Sequence, residues 1–593
     1  MPIYKAPLRD MQFVFHELFN ADEKLASLPG YNEVSADLVD AILEEGAKIA
    51  EEVMLPINFS GDDEGCSWNN GQVKTPSGFP EAYKIYIEGG WPALAGNPEY
   101  GGQGMPESIA FLLEEMLCST NVSFSLYPGL TRGAINSLSA HGSDELKNTY
   151  LPNMTEGIWA GTMCLTESHS GTDLGLIRTK AVPQDGGSYA ISGTKIFITG
   201  GEQDLTENII HLTLARLPDA PEGVRGISLF LVPKFLVNAD GSLGERNGVS
   251  CGSIEHKMGI KASSTCVMNF DGAIGYLVGP ANKGMACMFT MMNTERLAIG
   301  MQGLGLGEIA YQNAVEYARE RIQGRSATGP KATDKAADPI LVHPDVRRML
   351  LTARAYNEGS RALATWVSLN LDLMHKDPDP QGRETAEDLV ALLTPVVKAF
   401  FSDYGFEVTN LCQQVFGGHG YVKEWGMEQF VRDVRIAQIY EGTNGVQALD
   451  LVRRKLRMHD GRLAKRFFNE LEGFVTENRD SSELEEFISP LGEALTRLKS
   501  VTQWIVDQEN PDEPCAAATE YLRLFALTTL AYLWARMAKI SSENMTGENT
   551  EFYSNKKTLA RFYFQRLLPQ SVGLEKIIRA GANPIMELDE SAF

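Results

Sequence analysis

The chain has 593 residues, 43% of them hydrophobic and 22% charged, with a formal charge of −24. That length exceeds one ordinary core, so several domains are expected, and the acidic excess argues against nucleic acid or an anionic membrane as the main partner. Eight scattered cysteines with no CxxC pair argue against a zinc site and a disulfide framework and suit a reducing, cytoplasmic compartment.

The N-terminal stretch MPIYKAPLRDMQFVFHELF has no long apolar core and carries Asp10 and Glu17, so it reads as neither signal nor transit peptide. Residues 1–34 read as an arm with one short helix. Leu38, Ile42, Ile49 and Val53 then share one helical face, ended by Pro56. Residues 57–80, rich in Gly, Asn, Asp and Ser, read as loop. Helical patterns follow near 81–88, 107–117, 133–139 and 144–150, so 35–157 is expected to be a helical domain.

The texture changes at Ile158. Segments 159–166, 176–183, 188–198, 208–215, 226–233 and 265–270 are short, rich in Ile, Val, Thr and Phe, and separated by turn residues. They predict an antiparallel β domain over 158–283. Helical periodicity returns over 284–455, with a long helix at about 294–323, a mobile insertion at 326–341, and helices near 344–374 and 385–413, the second kinked at Pro395. Four more amphipathic stretches, near 459–477, 482–508, 516–541 and 551–567, predict an additional bundle over 456–593. The stretch 521–538 contains Arg523 and Arg536 and reads as a buried helix, not a membrane span.

Three stretches carry chemistry. The loop Thr166-Glu167-Ser168-His169-Ser170-Gly171-Thr172-Asp173 packs hydroxyls and backbone amides into few residues, which suits phosphates and heterocycle edges; by itself it is equally a polar turn. Gly193 to Gly201 ends a strand with Phe197, Thr199 and two glycines, an arrangement that suits a flat ring and, alone, suits an ordinary strand end better. In Arg435 to Gly445, Glu441 stands after Ile439 and Tyr440, at a break made by Gly442 and Gly445. Apolar neighbours predict a poorly solvated carboxylate with a raised pKa; alone, the stretch reads better as a surface glutamate before a helix. His141, His256 and His419 read as structural. Methionines 285, 288, 291, 292 and 301 read as core. No metal ligand set is found.

Seven stretches in order, together with the α-β-α succession, carry a resemblance: TESHSGTD, KIFITGG, HKMGIKASST, NTERLAIG, ARERIQGR, QQVFGGHGY and VRDVRIAQIYEGTNG. Over about residues 35–455 the chain resembles the acyl-CoA dehydrogenase family of flavoproteins, and its extensions resemble the larger bacterial subclass that includes 3-methylthiopropanoyl-CoA dehydrogenases. The resemblance implies an α+β fold with an N-terminal helical domain, a middle antiparallel β-barrel or sandwich, a second helical bundle and an extra C-terminal helical domain. It implies FAD as cofactor, an acyl-CoA substrate (fatty acyl-CoA or 3-methylthiopropanoyl-CoA), a trans-2-enoyl-CoA product, an electron-transfer flavoprotein as acceptor and a homodimer or higher homo-oligomer.

By the same resemblance Glu441 is the α-proton base, with hydride passing to flavin N5. Met163, Leu165 and Thr166 hold the flavin's pyrimidine edge, and Thr172 lies between FAD and the CoA chain. Phe197 stands where a tryptophan usually covers the flavin, and Thr199 lies near N5. Arg321 reaches an FAD phosphate, Gln414 and Gly418 meet the adenine half of FAD across a subunit interface, and Thr443 makes a further contact. Asn293 and Arg296 face CoA, and Gly442 lies beside the thioester. Gln323 and Gly445 depart from the family's residues at two cofactor contacts. Glu295 occupies the position of the base in a minority of the family. An oxygen-using acyl-CoA oxidase and a non-catalytic acyl-CoA-binding protein are the competing readings.

Overall fold

The computed structural model describes residues 2–545, 547 and 549–593. They fall into two compact units, each built from discontinuous stretches.

One unit, Gly46–Met105 with Thr120–Ala298, is organised on a seven-stranded sheet. Its strands are Trp159–Cys164, Lys180–Pro183, Tyr189–Thr199, Asn208–Arg216, Ile227–Pro233, Val249–Ile254 and Thr265–Val278. Ile227–Pro233 is buried along its whole length and Asn208–Arg216 at all but its last residue, as strands covered on both faces must be. Leu229 and Leu231 join one apolar cluster, with Ala134, Leu138, Trp159, Met288 and Met291. Phe230 and Val232 join another, with Ile191, Ile198 and Cys266. Successive side chains thus serve opposite faces. The methionines expected in the core are there, Met288 and Met291 both fully buried.

The sheet is not purely antiparallel. Trp159–Cys164 runs parallel to Asn208–Arg216, because the connection 165–207 is long enough to act as a crossover and return the chain to the same end. The last strand continues beyond 270. It pairs first with Tyr189–Thr199 and then with Ile227–Pro233, bending at a register shift where Gly272 takes φ +62°. Residues 57–80 are not all loop. Ser67–Asn69 and Gln72–Lys74 form a hairpin whose two turn residues, Asn70 and Gly71, both have positive φ, the requirement of a type I′ turn.

The other unit comprises Met1–Glu45, Pro106–Ser119 and Ile299–Phe593. Helices Pro344–Lys376 and Pro380–Val415 form a hairpin. The expected linker 375–384 shrinks because Asp379 caps the second helix through Gln381 N (3.0 Å) and Pro380 fills its first turn; that helix runs on through Pro395. Helices Arg462–Glu477, Glu485–Asp507, Asp512–Glu543, Thr550–Phe562 and Gln570–Arg579 complete the bundle, the last of them unforeseen. Among the described residues of the whole chain, two helices are long and apolar enough to cross a membrane, Glu107–His141 and Pro380–Val415, with 100% and 78% of their apolar windows buried inside the protein.

Two features lock this unit. Residues 299–320 cross helix Pro380–Val415 backbone to backbone: a Cβ on Gly303 would stand 2.2 Å from the Phe401 carbonyl oxygen, and one on Gly405 2.5 Å from Gly303 Cα. That crossing sets Gln302 and Asp403 side by side with the contact. A buried ionic hub joins five segments. Arg361 binds Glu115 (2.9 and 3.0 Å), Glu308 (3.1 Å) and Asp10, and Lys556 binds Asp10 and Glu358 (2.6 Å). Arg354 adds a second cation to Glu358 at 2.6 Å.

The segment expected to be mobile is pinned. Buried Asp338 accepts from Ser326 N (2.8 Å), Lys331 N (2.8 Å), Ala332 N (2.7 Å) and Arg325 Nη1 (3.1 Å). Those backbone donors, Ala332 foremost, hold its carboxyl well below the usual range.

Candidate functional site

The predicted site residues divide between the two units. Nine non-glycine residues have positive φ among those described. Asn, Asp and His tolerate that conformation; other side chains pay about 1–2 kcal/mol for it. Only three of the nine are of other types: Phe197, Ile260 and Glu441. Two of these three are predicted site residues.

Glu441 has φ +57° and Gly442 φ +81°. They form the break between Met427–Arg435, with its 3₁₀ extension Ile436–Gln438, and helix Asn444–Arg453. Thr443 caps the second helix, its hydroxyl accepting from Val446 N at 3.2 Å; the hydroxyl proton is still free to donate. Glu441 is half-buried, as is Tyr440, whose hydroxyl donates to Gln302 Oε1. Ile439 points outward at 47% exposure, so it does not wrap the carboxylate as its apolar character suggested. Gln447 Nε2 donates to the carbonyl of Glu441 at 3.2 Å. Gln438 and Asn444 reach helix Pro380–Val415, each donating to Asp403 Oδ1 at 2.7 Å.

In the same unit Arg321 is exposed just past the end of its helix, one turn beyond Tyr317. Tyr317 stacks on Phe416 (4.2 Å) and bonds His419 Nδ1 (2.9 Å), which brings Arg321 close to the segment holding Gln414 and Gly418. Both of those are exposed, and a Cβ at Gly418 would meet nothing within 4 Å. His419, flat on Trp425 at 4.5 Å, is a packing residue as expected. So is His141, bonded to Thr290 Oγ1 at 2.7 Å.

In the sheet unit the loop after Cys164 and the end of strand Tyr189–Thr199 are stitched together. Ile196 N donates to Thr166 O at 2.9 Å, and Lys195 Nζ donates to Leu165 O at 2.9 Å and pairs with Glu167 at 2.8 Å. Lys195 is fully buried and Glu167 is 5% exposed. Glu167 also accepts from Thr179 Oγ1 (2.6 Å), Thr179 N (3.0 Å) and Arg178 N (2.7 Å). Burial pushes its carboxyl up, but Lys195 and these donors outweigh burial and hold it at about 2. Burial lowers Lys195 more than the pairing restores it. Sequence reasoning missed this pair.

Phe197 is the exposed counterpart. Strand alternation puts Ile191 and Lys195 inside and predicts Phe197 inside too. A bulge between Lys195 and Ile198 shifts the register and turns the ring out to 59% exposure. A large aromatic held outward by a strained backbone, with half-buried Thr199 and Thr166 beside it, fits the face and edge of a flat heterocycle. Met163 is half-buried, Leu165 buried and Thr172 exposed. Asn293 is exposed and accepts from Arg296 Nη1 at 3.3 Å, the arginine itself being buried. Glu295 is 4% exposed, and a Cβ on Gly133 would stand 2.5 Å from its Oε1. No three His, Cys, Asp or Glu residues are placed to hold a metal ion among the described residues.

Family models match almost end to end: acyl-CoA dehydrogenase N-terminal domain over 67–158, middle domain over 162–273, C-terminal domain over 282–456, and acetyl-CoA dehydrogenase C-terminal like over 467–589. The chain is 42% identical over 574 residues to 3-methylmercaptopropionyl-CoA dehydrogenase of Ruegeria pomeroyi, covering 95% of this chain and 96% of that one. It is 32% identical over 616 residues to the broad-specificity linear acyl-CoA dehydrogenase FadE5 of Mycobacterium tuberculosis, covering 100% of each. Among solved structures, the acyl-CoA dehydrogenase from Bacillus anthracis complexed with FAD superposes with a TM-score of 0.74 at 20% identity, covering 92% of this chain and 88% of that one.

Proposed function

Since this chain belongs to the acyl-CoA dehydrogenase family, we propose that Glu441 is the base of its reaction and that Phe197, Thr199 and Thr166 receive its FAD. The family's activity, flavin-dependent α,β-dehydrogenation of an acyl-CoA thioester, is the activity of this enzyme. The observation that carries the reading is the strained backbone shared by Glu441 and Phe197. Strain of that kind persists only where the surroundings over-determine it, and it concentrates at working sites.

The flavin, when bound, supplies the acceptor for the two electrons that leave Cβ. Phe197 offers it a ring face, Thr199 and Thr166 offer hydroxyls, and the backbone of Met163 and Leu165 borders the same edge. Arg321, Gln414, Gly418 and Thr443 are proposed for its outer parts, and Thr172, Asn293 and Arg296 for the CoA chain. Glu441 takes the α-proton onto its carboxylate. Gly442, the next residue, takes φ +81°, where a Cβ would stand 2.8 Å from Gln447 Nε2. Glu295, buried beside Gly133, is proposed to pair with a cation or cap its helix and not to act as the base.

The substrate proposed is 3-methylthiopropanoyl-CoA or a fatty acyl-CoA; the higher identity to the Ruegeria enzyme favours the first. An electron-transfer flavoprotein as acceptor and assembly as at least a dimer belong to the same proposal. Eight free cysteines suit the cytoplasm.

Anaerobic rapid mixing with a panel of acyl-CoA thioesters tests the base. Glu441→Gln is expected to keep FAD and bind substrate while losing about 10²–10⁴-fold or more in flavin reduction, and Glu295→Gln to keep the fast step. Fast bleaching in Glu441→Gln with none in Glu295→Gln would reverse the assignment. Peroxide formed at the turnover rate in air would replace the dehydrogenase reading with an oxidase.

A further inference from the structure

We infer that Asp403 and its two amide partners are positioning residues that hold Glu441 in its working conformation. This rests on reading Glu441 as the base. Gln438 stands three residues before Glu441 and Asn444 three residues after it. Their side-chain amides donate to one and the same oxygen, Asp403 Oδ1, each at 2.7 Å. The carboxylate therefore closes the loop 438–444 from below, with Glu441 at its apex.

The chemistry fixes how the staple is set. Asn444 Oδ1 accepts from Lys398 Nζ at 2.8 Å and from Ser402 Oγ at 3.2 Å. An ammonium can only donate and a carboxylate can only accept. The Asn444 amide is held between them and has one orientation; flipping it would set NH₂ against NH₃⁺ and O against COO⁻. Lys398 is completely buried, and charge-assisted bonds of this kind are shorter and about twice as strong as neutral ones. Lys398, Ser402 and Asp403 all lie on one helix, and Gly405, two residues on, is in backbone contact with Gly303. The anchor thus sits at the backbone-to-backbone crossing of this helix with residues 299–320. Gln447 Nε2 adds a bond to the Glu441 carbonyl itself. These contacts keep a non-glycine residue at φ +57° that it would otherwise leave.

A misplacement of about 1 Å at a reacting group costs about 10²-fold in rate. The experiment is anaerobic rapid mixing of purified holoenzymes with the acyl-CoA that reduces the wild-type flavin fastest, comparing Gln438→Ala, Asp403→Ala, Asp403→Asn and Glu441→Gln. Gln438→Ala and Asp403→Ala are expected to slow the limiting rate of flavin reduction by roughly 10–100-fold, with half-saturation and FAD content within about twofold of wild type. Asp403→Asn keeps an acceptor oxygen and is expected to recover part of that loss. A merely structural role would instead show as lost FAD or weakened half-saturation.

A wild-type limiting rate in Gln438→Ala, or a loss confined to half-saturation, overturns the staple. If Asp403→Ala fails to fold, Gln438→Ala, altering one half-buried side chain, decides alone. If Glu441→Gln reduces flavin at the wild-type rate, it is the base assignment that falls, a result readable separately from the other variants.

Discussion

Lys195→Met removes one partner of a fully buried pair and leaves Glu167, 5% exposed, without its cation. Orphaning a buried charge costs about 3–5 kcal/mol. The lower end applies here, because Glu167 keeps three donors, Thr179 Oγ1, Thr179 N and Arg178 N. About 3 kcal/mol is roughly a hundredfold in an equilibrium. The strain falls on the contact between loop 165–173 and the strand end carrying Phe197 and Thr199, so weaker FAD retention by that factor is expected. The assay is flavin fluorescence released during urea titration of the holoenzyme. The double variant Lys195→Met with Glu167→Leu separates charge from packing, since apolar pairs often replace buried ion pairs at little cost; it is expected to hold FAD better than the single variant. The pH dependence has a definite sign. Glu167 is depressed to about 2 in the folded protein, against an ordinary value of about 4.3. Its contribution is complete above the ordinary value and is lost as pH falls from there to about 2. Wild-type FAD retention in Lys195→Met, with an unchanged urea midpoint, refutes the reasoning.

Lys556→Met is expected to lower stability by about 3–5 kcal/mol, because Asp10 and Glu358 lose a shared buried cation; urea unfolding followed by far-UV circular dichroism measures it. Gly303→Ala places a methyl group 2.2 Å from the Phe401 carbonyl oxygen, so helix Pro380–Val415 must shift; overpacking costs about 1–3 kcal/mol or more, and soluble yield with unfolding midpoint reports it. Replacing Asp338 by Ala frees Ser326 N, Lys331 N and Ala332 N together, and limited proteolysis is expected to cut within 325–338 in the variant and not in the parent.

Long helices were legible because their apolar period repeats many times, and burial then follows. The hairpin at 67–74 was missed although its signal was present: Asn70-Gly71 is a direct I′ turn signal, but the surrounding Gly, Asp and Ser suggested only a loop. The parallel pairing of Trp159–Cys164 was not legible, since the path of the chain between the strands decides it. Among proposed site residues, Glu441 and Phe197 were picked out by motif resemblance, and their strained backbone was invisible in letters. Lys195 did leave a signal, a lysine in the inward phase of an alternating strand. Asp403 left none. It is one acid in a long helix, and its importance comes from two amides that reach it from a distant loop.

The ionic hub places a constraint on the order of synthesis. Asp10 leaves the ribosome early, while Lys556 follows 546 positions later. At roughly 5–20 residues per second, Asp10 waits about half a minute to two minutes for that partner. Until then Asp10 has Arg361 but lacks its second cation, and Glu358 has only Arg354. The last helices therefore act as a completeness check, and a chain stalled before Lys556 stays open to chaperones and proteases.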